Sequence, residues 1–565
     1  MATDNSQLDF RLKIYVLELD TVPITMAPPL PSSTTTIQQS SSSTATTAST
    51  VNTAASVTDY VTRTIDTFDI SRNSIDYRAE GNANIVLAIP HRCQVLRLPK
   101  KFKSKQNICR AETAKEYGWQ NERIFYVYKY IDRVSTLFGP NISSRPILVR
   151  IEFCNVDSFD TWLHNHRPLH RIQSMMITMT PTKRDDFDFD YGLLYHDACS
   201  LNLNLESVAM PRNISSNSGI NISSGDVLAV EIKPKQGWDI CALPEWLLEL
   251  FEIGHGVRNK CRFCAMQHLK VRGRQVHQLS KYCPLDLFSG DAVRMKKSIR
   301  NLITAPQNNF RIFRNGQLVF GDDDDDDYQE HALQSILSPY FGANSNNVND
   351  FISLLVNMLQ YDFVSGCDPR FAQVEANDII SESETAKNQL SACITSNSSH
   401  LPKQSVLKRV LDLQLLAKKT IPYVAQKYTE NSNGWENLIR SKQWPHLHVI
   451  ALHEKLGRHT THQNPVDVID YEYLKSTCNL SDEEIYEIGA TALDSSIMLT
   501  FQSCGQQTNH NLGYPLVKLN DQQFIVNATV FDLDPKLYPR HFMKYVQKTR
   551  ESFNAYKLFL GAKHL

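Results

Sequence analysis

The sequence lacks the features that mark membrane-spanning, secreted and broadly polyanion-binding proteins. Its 59 Lys and Arg residues against 60 Asp and Glu residues give a formal net charge of −1, so no overall field attracts nucleic acid or a membrane. No apolar run is long enough to span a bilayer, and charged residues interrupt residues 8–20, unlike the apolar stretch of a signal peptide. Any site for a polyanion must therefore be a local concentration of Lys and Arg.

Closely spaced cysteines are also rare, because only Cys261 and Cys264 form a close pair among the 12 cysteines. In a long chain without a secretion signal, such scattered cysteines are expected to be reduced thiols. We therefore expect the protein in the cytoplasm, the nucleus or both. The sequence also shows no internal repeat.

Composition separates a polar N-terminal segment from two regions with mixed helix and strand patterns. Residues 28–58 are dominated by Ser, Thr and Ala with almost no large apolar side chains, so residues 1–70 are expected to be largely disordered. Residues 71–192 are predicted to form a smaller N-terminal lobe, residues 193–200 a hinge, and residues 201–565 a larger C-terminal lobe. This pattern indicates a two-lobed protein of the α+β or α/β class.

Apolar periodicity predicts the positions of the main elements. Strands are predicted at 85–89, 94–98, 146–153 and 227–235, helices at 111–119, 158–164, 349–359 and 406–416, a hairpin at 307–320, and β-rich segments at 490–501 and 524–533. The six consecutive aspartates at 322–327 are predicted to form a solvated loop, because metal sites need ligands in a fixed geometry.

A small-residue turn precedes the first of these strands. Residues 77–84 contain Gly81 among turn-forming residues, and such a turn can bring backbone N–H groups close to phosphates. Arg97 lies on the next predicted strand, where a cation could grip a phosphate bidentately. An ordinary turn and a surface arginine are the alternative interpretation.

The predicted strand at 227–235 carries charged residues at alternate positions. Alternation would place Glu231, Lys233 and Lys235 on one face and apolar side chains on the other. Two lysines side by side repel each other unless they face an anion, so they indicate an anion site. A solvent-facing strand end is the alternative.

Residues 258–300 concentrate positive charge, with eleven Lys and Arg against two acids, Asp286 and Asp291. The stretch is compatible with a solvated basic surface, with nucleic acid phosphates, or with a small, dense polyanion. Aromatic residues are sparse within it, which disfavours stacking on single-stranded bases.

Three late aspartates lie at predicted strand ends. Asp494 opens one strand, and Asp532 and Asp534 close another, with Lys536 and Arg540 following at once. Kinases place Mg²⁺ ligands and the group that accepts the hydroxyl proton in such positions. Turn formation alone is the alternative.

Cys261, Cys264 and Cys283 lie close in sequence to three histidines, His255, His268 and His277. A C-x-x-C pair supplies two of the four ligands that zinc needs, so a structural zinc site and free thiols are both open interpretations.

Several segments occur together in one order along the chain. They are 80–84, 95–97, 231–235, 282–290, 306–310, 492–498 and 532–534. In these segments, from about residue 75 to residue 540, the chain resembles the inositol-pentakisphosphate 2-kinase family. The resemblance implies a two-lobed inositol phosphate kinase-like fold. It also implies transfer of the ATP γ-phosphate to the 2-hydroxyl of inositol 1,3,4,5,6-pentakisphosphate, which gives the hexakisphosphate.

The resemblance also implies roles for particular residues. The ATP side would include Gly81, Ala83, Asn84, Arg97, the hinge residues His196 to Ala198, Asn309 and Arg311. The inositide side would include Arg171, Lys233, Lys235, Lys270, Asn308, Lys536 and Arg540, with Arg262 beside them. Asp494 would be the catalytic carboxylate, Asp532 the main Mg²⁺ ligand with Asp494 in contact, and Lys233 the group that stabilises the transferring phosphoryl.

The resemblance suggests that Cys261, Cys264 and Cys283, with a histidine such as His268, correspond to a zinc cluster of animal members. It implies ATP and Mg²⁺ as cofactors and inositol pentakisphosphate as the partner. We also expect a monomer, with no membrane or nucleic acid partner. The chain departs from the family where Leu493 replaces the usual Lys and Ser495 the usual Cys. The family's tyrosine after Arg540 falls on Lys544 or Tyr545.

Two rival functions are open at this stage. The first is a zinc-stabilised, non-enzymatic binder of RNA or another polyanion, built on residues 258–300. The second is a catalytically dead relative that binds inositides as a scaffold, which Leu493 favours and the retained Asp494, Asp532, Lys233 and Arg97 disfavour.

Overall fold

A computed structural model of the chain describes residues 10–19, 62–81, 84–102, 110–139, 142–168, 177–178, 182–184, 187–201, 226–321, 329–341, 347–363, 400–430, 446–459, 469–504 and 514–562. Helices and antiparallel strands both occur in these ranges, which confirms the α+β class. None of the helices within them is long and apolar enough to cross a lipid bilayer.

The strands are, in chain order, β1 (Arg11–Leu19), β2 (Thr62–Ser71), β3 (Asp76–Glu80), β4 (Asn84–Ile89), β5 (Gln94–Pro99), β6 (Lys101–Phe102), β7 (Ile147–Phe153), β8 (Ile177–Thr178), β9 (Thr182–Arg184), β10 (Phe187–His196), β11 (Leu228–Ile232), β12 (Phe310–Arg314), β13 (Gln317–Phe320), β14 (Ser496–Cys504), β15 (Leu516–Leu519) and β16 (Gln522–Phe531). The α-helices are α1 (Arg110–Phe138), α2 (Val156–His166), α3 (Glu245–Leu250), α4 (Arg262–Arg272), α5 (Pro284–Leu287), α6 (Ala292–Thr304), α7 (Gln329–Phe341), α8 (Asn347–Gln360), α9 (Val406–Glu430), α10 (His446–Gly457), α11 (Asp482–Ala492) and α12 (Arg540–Ala562).

The chain divides into two compact units that are interleaved in sequence. One comprises Met1–Ile75, Leu98–Ile124 and Ile147–Leu193, and the other comprises Asp76–Arg97, Phe125–Pro146 and Leu194–Leu565. This division differs from the predicted lobes at 71–192 and 201–565, because two N-terminal segments belong to the same unit as the C-terminal region.

The first unit is built on a sheet with the strand order β2-β1-β7-β10. Strand β1 pairs antiparallel with both β2 and β7. An aromatic cluster packs α2 onto this sheet: the ring centroids of Phe10 and Phe159 lie 5.2 Å apart, and those of Phe10 and Trp162 lie 5.5 Å apart. The side chain of Asn155 caps α2 by accepting a hydrogen bond from the backbone N–H of Ser158.

The prediction that residues 1–70 are largely disordered is wrong for β1 and for residues 62–70 of β2. The side chains of Leu12 and Ile14 are fully buried, whereas Arg11 and Lys13 between them point to solvent. Charged residues at alternate positions are the pattern of a strand with one covered face, so Arg11 and Lys13 belong to a regular strand and do not interrupt an apolar segment. Residues 20–61 lie outside the described residues.

The second unit contains an antiparallel sheet with the strand order β13-β12-β11-β14-β16-β15. The central strand β11 pairs with β12 through Glu231 and Arg311, and with β14 through Glu231 and Met498. All five residues of β11 are buried, so both faces of the sheet are covered at its centre. The ends of β11, β14 and β16 therefore provide a rigid edge for a site.

Helices α9, α11 and α12 form an apolar core beside this sheet. Tyr486, Phe542 and Ile421 are among its fully buried members. Helices α9 and α11 approach so closely at Gly489 that an added Cβ would lie 2.2 Å from the backbone nitrogen of Ala417. The absence of a side chain at Gly489 permits this close contact.

Most predicted elements occur close to their expected positions, although the helices predicted at 111–119 and 406–416 extend to Phe138 and Glu430. The strand predicted at 227–235 ends at Ile232, because Pro234 has no N–H and the N–H of Lys233 donates to the carbonyl of Asn309. Lys233 and Lys235 therefore lie beyond the strand rather than on one of its faces. The segment predicted as β-rich from residue 490 starts with the end of α11, and Asp494 lies in the turn before β14 rather than opening the strand. The aspartates at 322–327 lie outside the described residues.

Candidate active site

The ammonium group of Lys233 connects the ends of three neighbouring strands. Its Nζ donates to Ser496 Oγ at 2.8 Å and to Asp532 Oδ2 at 3.0 Å, and lies 3.2 Å from Glu231 Oε1. These partners come from the start of β14, the residue after β16, and β11. One cation is therefore held in a fixed position by two carboxylates and a hydroxyl.

The charges in this group keep Lys233 and Asp532 ionised. Burial alone would lower the pKa of Lys233, but the negative charges of Asp532 and Glu231 outweigh burial and raise that pKa. The protein surroundings would raise the pKa of Asp532, whereas Lys233 and Arg97 lower it. The Asp532 carboxylate, 43% exposed, is thus anionic and accessible at neutral pH.

A second carboxylate, Asp494, lies among lysines. Lys536 Nζ is 2.7 Å from Asp494 Oδ2, and Lys235 Nζ is 3.9 Å from Asp494 Oδ1. Burial would raise the pKa of Asp494, but the charges of Lys536 and Lys235 lower it. The side chain is 54% exposed, so the anionic carboxylate faces solvent while two cations fix its orientation.

For Lys235, burial outweighs the negative charge nearby, so its pKa is lowered. Its surroundings lower its pKa to about 8, because burial disfavours the charged form and the charges of Lys233 and Lys270 add repulsion that Asp494 only partly offsets. An anion placed beside Lys235 would favour its protonated form and restore the charge.

Four residues of the site occupy the left-handed region of backbone space although none is glycine. They are Lys235 (φ 61°), Gln307 (φ 44°), Asn308 (φ 64°) and Asp532 (φ 62°). Such conformations are uncommon outside glycine and persist where the surroundings fix them. The left-handed backbone at these four positions therefore points the side chains in directions that a residue within a regular strand could not adopt.

Gln414 is a supporting residue that the sequence interpretation missed. This fully buried side chain of α9 accepts a hydrogen bond from the N–H of Gly237 at 2.7 Å and donates to the carbonyls of Lys235 at 2.8 Å and Ala492 at 3.2 Å. It therefore ties the loop that carries Lys235 to the end of α11 before Asp494. A polar residue within an apolar helical pattern was the available signal.

The predicted phosphate-binding turn lies between β3 and β4. The N–H of Gly81 donates to the carbonyl of Asn84 at 2.9 Å, and Gly81 is exposed. On the neighbouring strand β5, the guanidinium of Arg97 pairs with Asp534, two residues after Asp532. Ala83 lies outside the described residues.

The predicted hinge residues follow β10, which ends at His196. The N–H of Asp197 donates to the carbonyl of Cys93 at 2.8 Å, and the Asp197 carboxylate pairs with Arg78 at 2.5 Å. Ala198 packs beside a small apolar cluster that the sequence interpretation did not assemble. Its members are Cys199, Ala229, Phe313 and Met498, with Phe531 partly buried against them. Within this group Ala198 and Phe531 are partly exposed, and the other four side chains are buried.

Asn308 and Asn309 lie in the tight turn that leads into β12. The buried Asn309 donates its N–H to the carbonyl of Pro306 and accepts the N–H of Lys233 on its own carbonyl, whereas Asn308 is exposed. Arg311 lies on β12, with its Nη1 3.7 Å from Glu231 Oε2. The turn thus positions the backbone of Lys233 directly.

Helices α4 and α12 contribute the other predicted basic residues. Arg262 donates from Nε to Thr549 Oγ1 at 2.8 Å, and its guanidinium lies 4.2 Å from the ring centroid of Tyr545. Lys270 lies on the same helix as Arg262, and Arg540 begins α12 four residues after Lys536. Arg171 lies outside the described residues.

Cys261, Cys264 and Cys283 are brought together as predicted, and His268 is not. Their sulfur atoms all lie within 4.8 Å of one another, with 3.9 Å between those of Cys261 and Cys283. The ring of His268 instead packs against Tyr556 and Phe559, with centroid distances of 4.8 and 4.5 Å. The expectation of His268 as a ligand is therefore wrong, because α4 turns this side chain toward α12.

The arrangement as a whole combines two accessible carboxylates with a concentration of cations. In the cysteine group, hydrogen bonds from Cys261 and Cys264 lower the pKa of Cys283, whereas hydrogen bonds to the other two thiols raise the pKa of Cys261. Two carboxylates and fixed cations suit the movement of a phosphoryl group between oxygen atoms, where charge must be neutralised and a proton accepted.

Comparisons with known proteins identify the family to which the chain is similar. The sequence profile of the family described as inositol-pentakisphosphate 2-kinase matches residues 77–551. The inositol-pentakisphosphate 2-kinase of Danio rerio is 28% identical over 493 residues, which cover 83% of this chain and 90% of that protein. The protein of the same name from Drosophila melanogaster is 29% identical over 310 residues, 44% of this chain and 48% of that protein. The Arabidopsis thaliana protein is 29% identical over 269 residues, 43% of this chain and 52% of that protein.

We expect Gln414→Leu to lower the free energy of unfolding by about 3 kcal/mol, because three backbone partners lose their hydrogen bonds while the volume is nearly kept. Urea unfolding measures the change, with a shifted midpoint at unchanged slope. Gln426→Leu on the same helix is the matched control, since the Gln426 side chain is exposed and contacts only Glu430 among the hydrogen bonds shown for the described residues. Equal stability of the two variants would contradict a supporting role for Gln414.

Proposed function

Because the chain belongs to the inositol-pentakisphosphate 2-kinase family, we propose that it transfers the γ-phosphate of ATP to the 2-hydroxyl of inositol 1,3,4,5,6-pentakisphosphate, forming inositol hexakisphosphate. The observation that carries the proposal is the pairing of two ionised carboxylates, Asp532 and Asp494, with the fixed cations Lys233, Lys235 and Lys536. Such a site suits a reaction in which both partners carry phosphates.

In this proposal, Asp494 orients the 2-hydroxyl and accepts its proton as the hydroxyl oxygen bonds to the γ-phosphorus and ADP leaves. Its lowered pKa keeps it unprotonated before the reaction, and Lys536 and Lys235 fix its two oxygens. Lys233 lies where it can stabilise the charge of the transferring phosphoryl group. Its contacts with Asp532, Glu231 and Ser496 support this assignment.

The inositide would be held by a ring of cations rather than by one strong contact. Each phosphate carries about −1.5 to −2 charges, so five give roughly −7 to −10 on one small ring. Lys235 and Lys536 lie beside Asp494, and Lys270 is near enough to Lys235 to repel it. Arg540 begins α12 four residues after Lys536, Asn308 lies at the exposed turn, and Arg262 braces α4 against α12. Arg171 is assigned to this side by the resemblance alone.

The nucleotide would lie between the predicted hinge and the glycine turn. Ala198 and the apolar cluster around Met498 offer an apolar surface for the adenine ring, beside the backbone of His196. Gly81, Asn84 and Arg97 would contact the phosphates, as the resemblance implies for Ala83 too. Arg97 would then exchange its contact with Asp534 for a phosphate, since a guanidinium binds both groups bidentately. Asn309 and Arg311 border this side.

Asp532 and Asp494 also fit a magnesium site. Their positive neighbours keep both carboxylates ionised, and both are partly exposed, which is the oxygen donor chemistry that Mg²⁺ prefers. We assign Asp532 as the main ligand with Asp494 in contact. When bound, the ion supplies positive charge against the phosphates of the nucleotide.

We expect Asp494→Asn to lower kcat for phosphate transfer by about 10²–10⁴-fold without unfolding the protein, because the amide cannot accept the hydroxyl proton. Labelled ATP, Mg²⁺ and inositol 1,3,4,5,6-pentakisphosphate, with separation of the products, measure the transfer. Asp521→Asn, in the exposed turn between β15 and β16, is the matched control.

The outcomes of this assay separate the rival functions. Normal turnover by Asp494→Asn would remove its catalytic role. Tight inositide binding without transfer by the unaltered protein would instead indicate a scaffold. Absence of both binding and transfer would overturn the proposed function.

We expect the KM for the inositide to rise above pH 8, by up to about tenfold per pH unit. The pKa of Lys235 lies near 8 without substrate, so the charge that attracts the phosphates is present below this pH and lost above it. The substrate phosphates are already ionised there, since their second pKa is about 6. A pH profile of kcat/KM measures the effect, and Lys235→Arg should flatten it because arginine keeps its charge. An unchanged profile in this variant would exclude Lys235 as the titrating group.

We propose further that Cys261, Cys264 and Cys283 bind a structural zinc ion. The support is the close approach of the three sulfur atoms, since tetrahedral sulfur ligands at about 2.3 Å from zinc lie about 3.8 Å apart. Within the described residues no fourth side chain joins this group. Such an ion would fix the start of α4 to the segment before α5.

We expect the purified protein to contain about one zinc ion per chain and Cys261→Ser to lose it, with a lower midpoint of thermal unfolding. Elemental analysis and calorimetry measure the two effects. Cys154→Ser, at an exposed cysteine of the other unit, should change neither. Absence of metal from the unaltered protein would refute the zinc assignment.

A further inference from the structure

The hinge segment, residues 196–200, is held by hydrogen bonds from several elements of its unit. The N–H of Asp197 donates to the carbonyl of Cys93 at 2.8 Å, and the carbonyl of Asp197 accepts the N–H and the hydroxyl of Ser200, each at 2.9 Å. The carbonyl of Ala198 accepts the hydroxyl of Thr500, a buried residue of β14, at 2.5 Å. The peptide groups of the hinge segment therefore have fixed orientations.

A guanidinium group from β3 holds a side chain of the same hinge segment. Arg78 Nη2 lies 2.5 Å from Asp197 Oδ2, and Arg78 Nη1 donates to the carbonyl of Gly316 in the turn between β12 and β13. The other carboxylate oxygen of Asp197 accepts the N–H of Cys199 at 3.0 Å. The side chains of Arg78 and Asp197 are only 12% and 10% exposed, so salt screens this ion pair little.

The turn at Gly316 leaves room for the guanidinium group of Arg78. A Cβ added at Gly316 would overlap this guanidinium, and the φ of Gly316, +80°, lies in the left-handed region. Arg78 also lies on β3 three residues before Gly81, in the turn that the resemblance assigns to the ATP phosphates. One side chain therefore links the strand before the glycine turn, the hinge segment and the turn between β12 and β13.

Both peptide groups that flank Ala198 are held by these contacts. The group before Ala198 is bound through its carbonyl by Ser200. The group after Ala198 is bound through its carbonyl by Thr500 and through its N–H by the carboxylate of Asp197. Because the N–H and the C=O of a trans peptide point in opposite directions, the N–H of Ala198 is directed away from Ser200.

The N–H of Ala198 is open to a ligand. It has no hydrogen-bond partner within the described residues, and Ala198 is half-exposed at the edge of the apolar cluster around Met498. A backbone donor beside an apolar surface suits a purine base, whose flat faces are apolar and whose ring nitrogens accept hydrogen bonds. In adenine, N1 lies across the ring system from the ribose, so a contact at N1 leaves the triphosphate free to extend toward Gly81.

We propose that Arg78 and Thr500 are positioning residues for the nucleotide, which hold the peptide groups on both sides of Ala198 so that its N–H is aimed at the adenine ring. The inference rests on the proposed function and adds two residues that act through Asp197 and Ala198. A donor that is already oriented binds more tightly, because less ordering is needed when the ligand arrives. Loss of either residue should therefore weaken ATP binding and leave inositide binding unchanged.

The test uses variants that remove one contact each from the hinge segment. Thr500→Val keeps the shape of the side chain and removes the donor to Ala198, whereas Thr500→Ser keeps the hydroxyl. Arg78→Lys keeps the charge but lacks the planar fork that bridges Asp197 and Gly316. The matched control is Thr420→Val, at a buried threonine of α9 whose hydroxyl donates to a carbonyl of its own helix.

Each protein is assayed for phosphate transfer to inositol 1,3,4,5,6-pentakisphosphate with three nucleotides. They are ATP, 1-deaza-ATP, which lacks the acceptor N1, and 7-deaza-ATP, which lacks a different ring nitrogen. Values of kcat and KM are measured for each nucleotide and for the pentakisphosphate, and urea unfolding establishes which variants are folded. Arg78 and Thr500 lie on different strands, so either variant alone decides the outcome.

We expect Thr500→Val and Arg78→Lys to raise the KM for ATP by about three- to tenfold, with the KM for the pentakisphosphate unchanged. The KM for 7-deaza-ATP should rise equally. The unaltered protein should have a higher KM for 1-deaza-ATP than for ATP, and neither variant should raise it much further, because the contact is already lost. Thr500→Ser should restore the KM for ATP, and Thr420→Val should not change it.

Three results would overturn the inference. The first is a KM for ATP that stays at the level of the unaltered protein in both variants. The second is an equal rise for ATP and 1-deaza-ATP, which would show that the loss does not pass through N1. The third is an equal rise for the pentakisphosphate, which would indicate a general structural defect. Failure of the unaltered protein to transfer phosphate from ATP would instead reject the proposed function, so the two failures are distinguishable.

Discussion

The position of Lys233 is the constraint on which the rest of the site depends. Its ammonium group lies within 3.2 Å of Asp532, Glu231 and Ser496, and so joins the ends of β11, β14 and β16. Removing a charged partner from such a group would leave the remaining charges partly buried and unpaired, which is costly. The cation is therefore both a structural link in the sheet and a charge available to a phosphate, since Asp532 remains partly exposed.

Around this link, the fold places cations close together and stabilises them indirectly. Lys235 is held in a left-handed conformation by a loop whose backbone is bound by the buried Gln414. The same glutamine contacts the end of α11 next to Asp494. The scaffold thus fixes a carboxylate and a lysine in one network before any substrate arrives. Preorganised charges of this kind act without rearrangement during a reaction.

The sequence predicted the chemistry of the site better than its geometry. Residues such as Asp494, Asp532 and Lys233 could be singled out because charged residues beside buried strands are unusual. The end of β11 at Ile232 was not predicted, because alternation alone does not show where a strand stops. Gln414 and Met498 could not be assigned, since both lie far along the chain from their partners in the fold. His268 was misplaced because sequence proximity to cysteines does not fix which face of α4 it occupies. The strand β1 was missed because its charged residues concealed a simple alternation.

The interleaving of the two units limits how this fold can be divided. Asp76–Arg97 and Phe125–Pro146 belong to the same unit as Leu194–Leu565, so the contact of Arg97 with Asp534 joins residues from distant parts of one compact body. A fragment that starts after residue 193 would lack two of the three segments of its own unit. Any division of the chain between residues 97 and 194 would therefore separate segments of one compact unit.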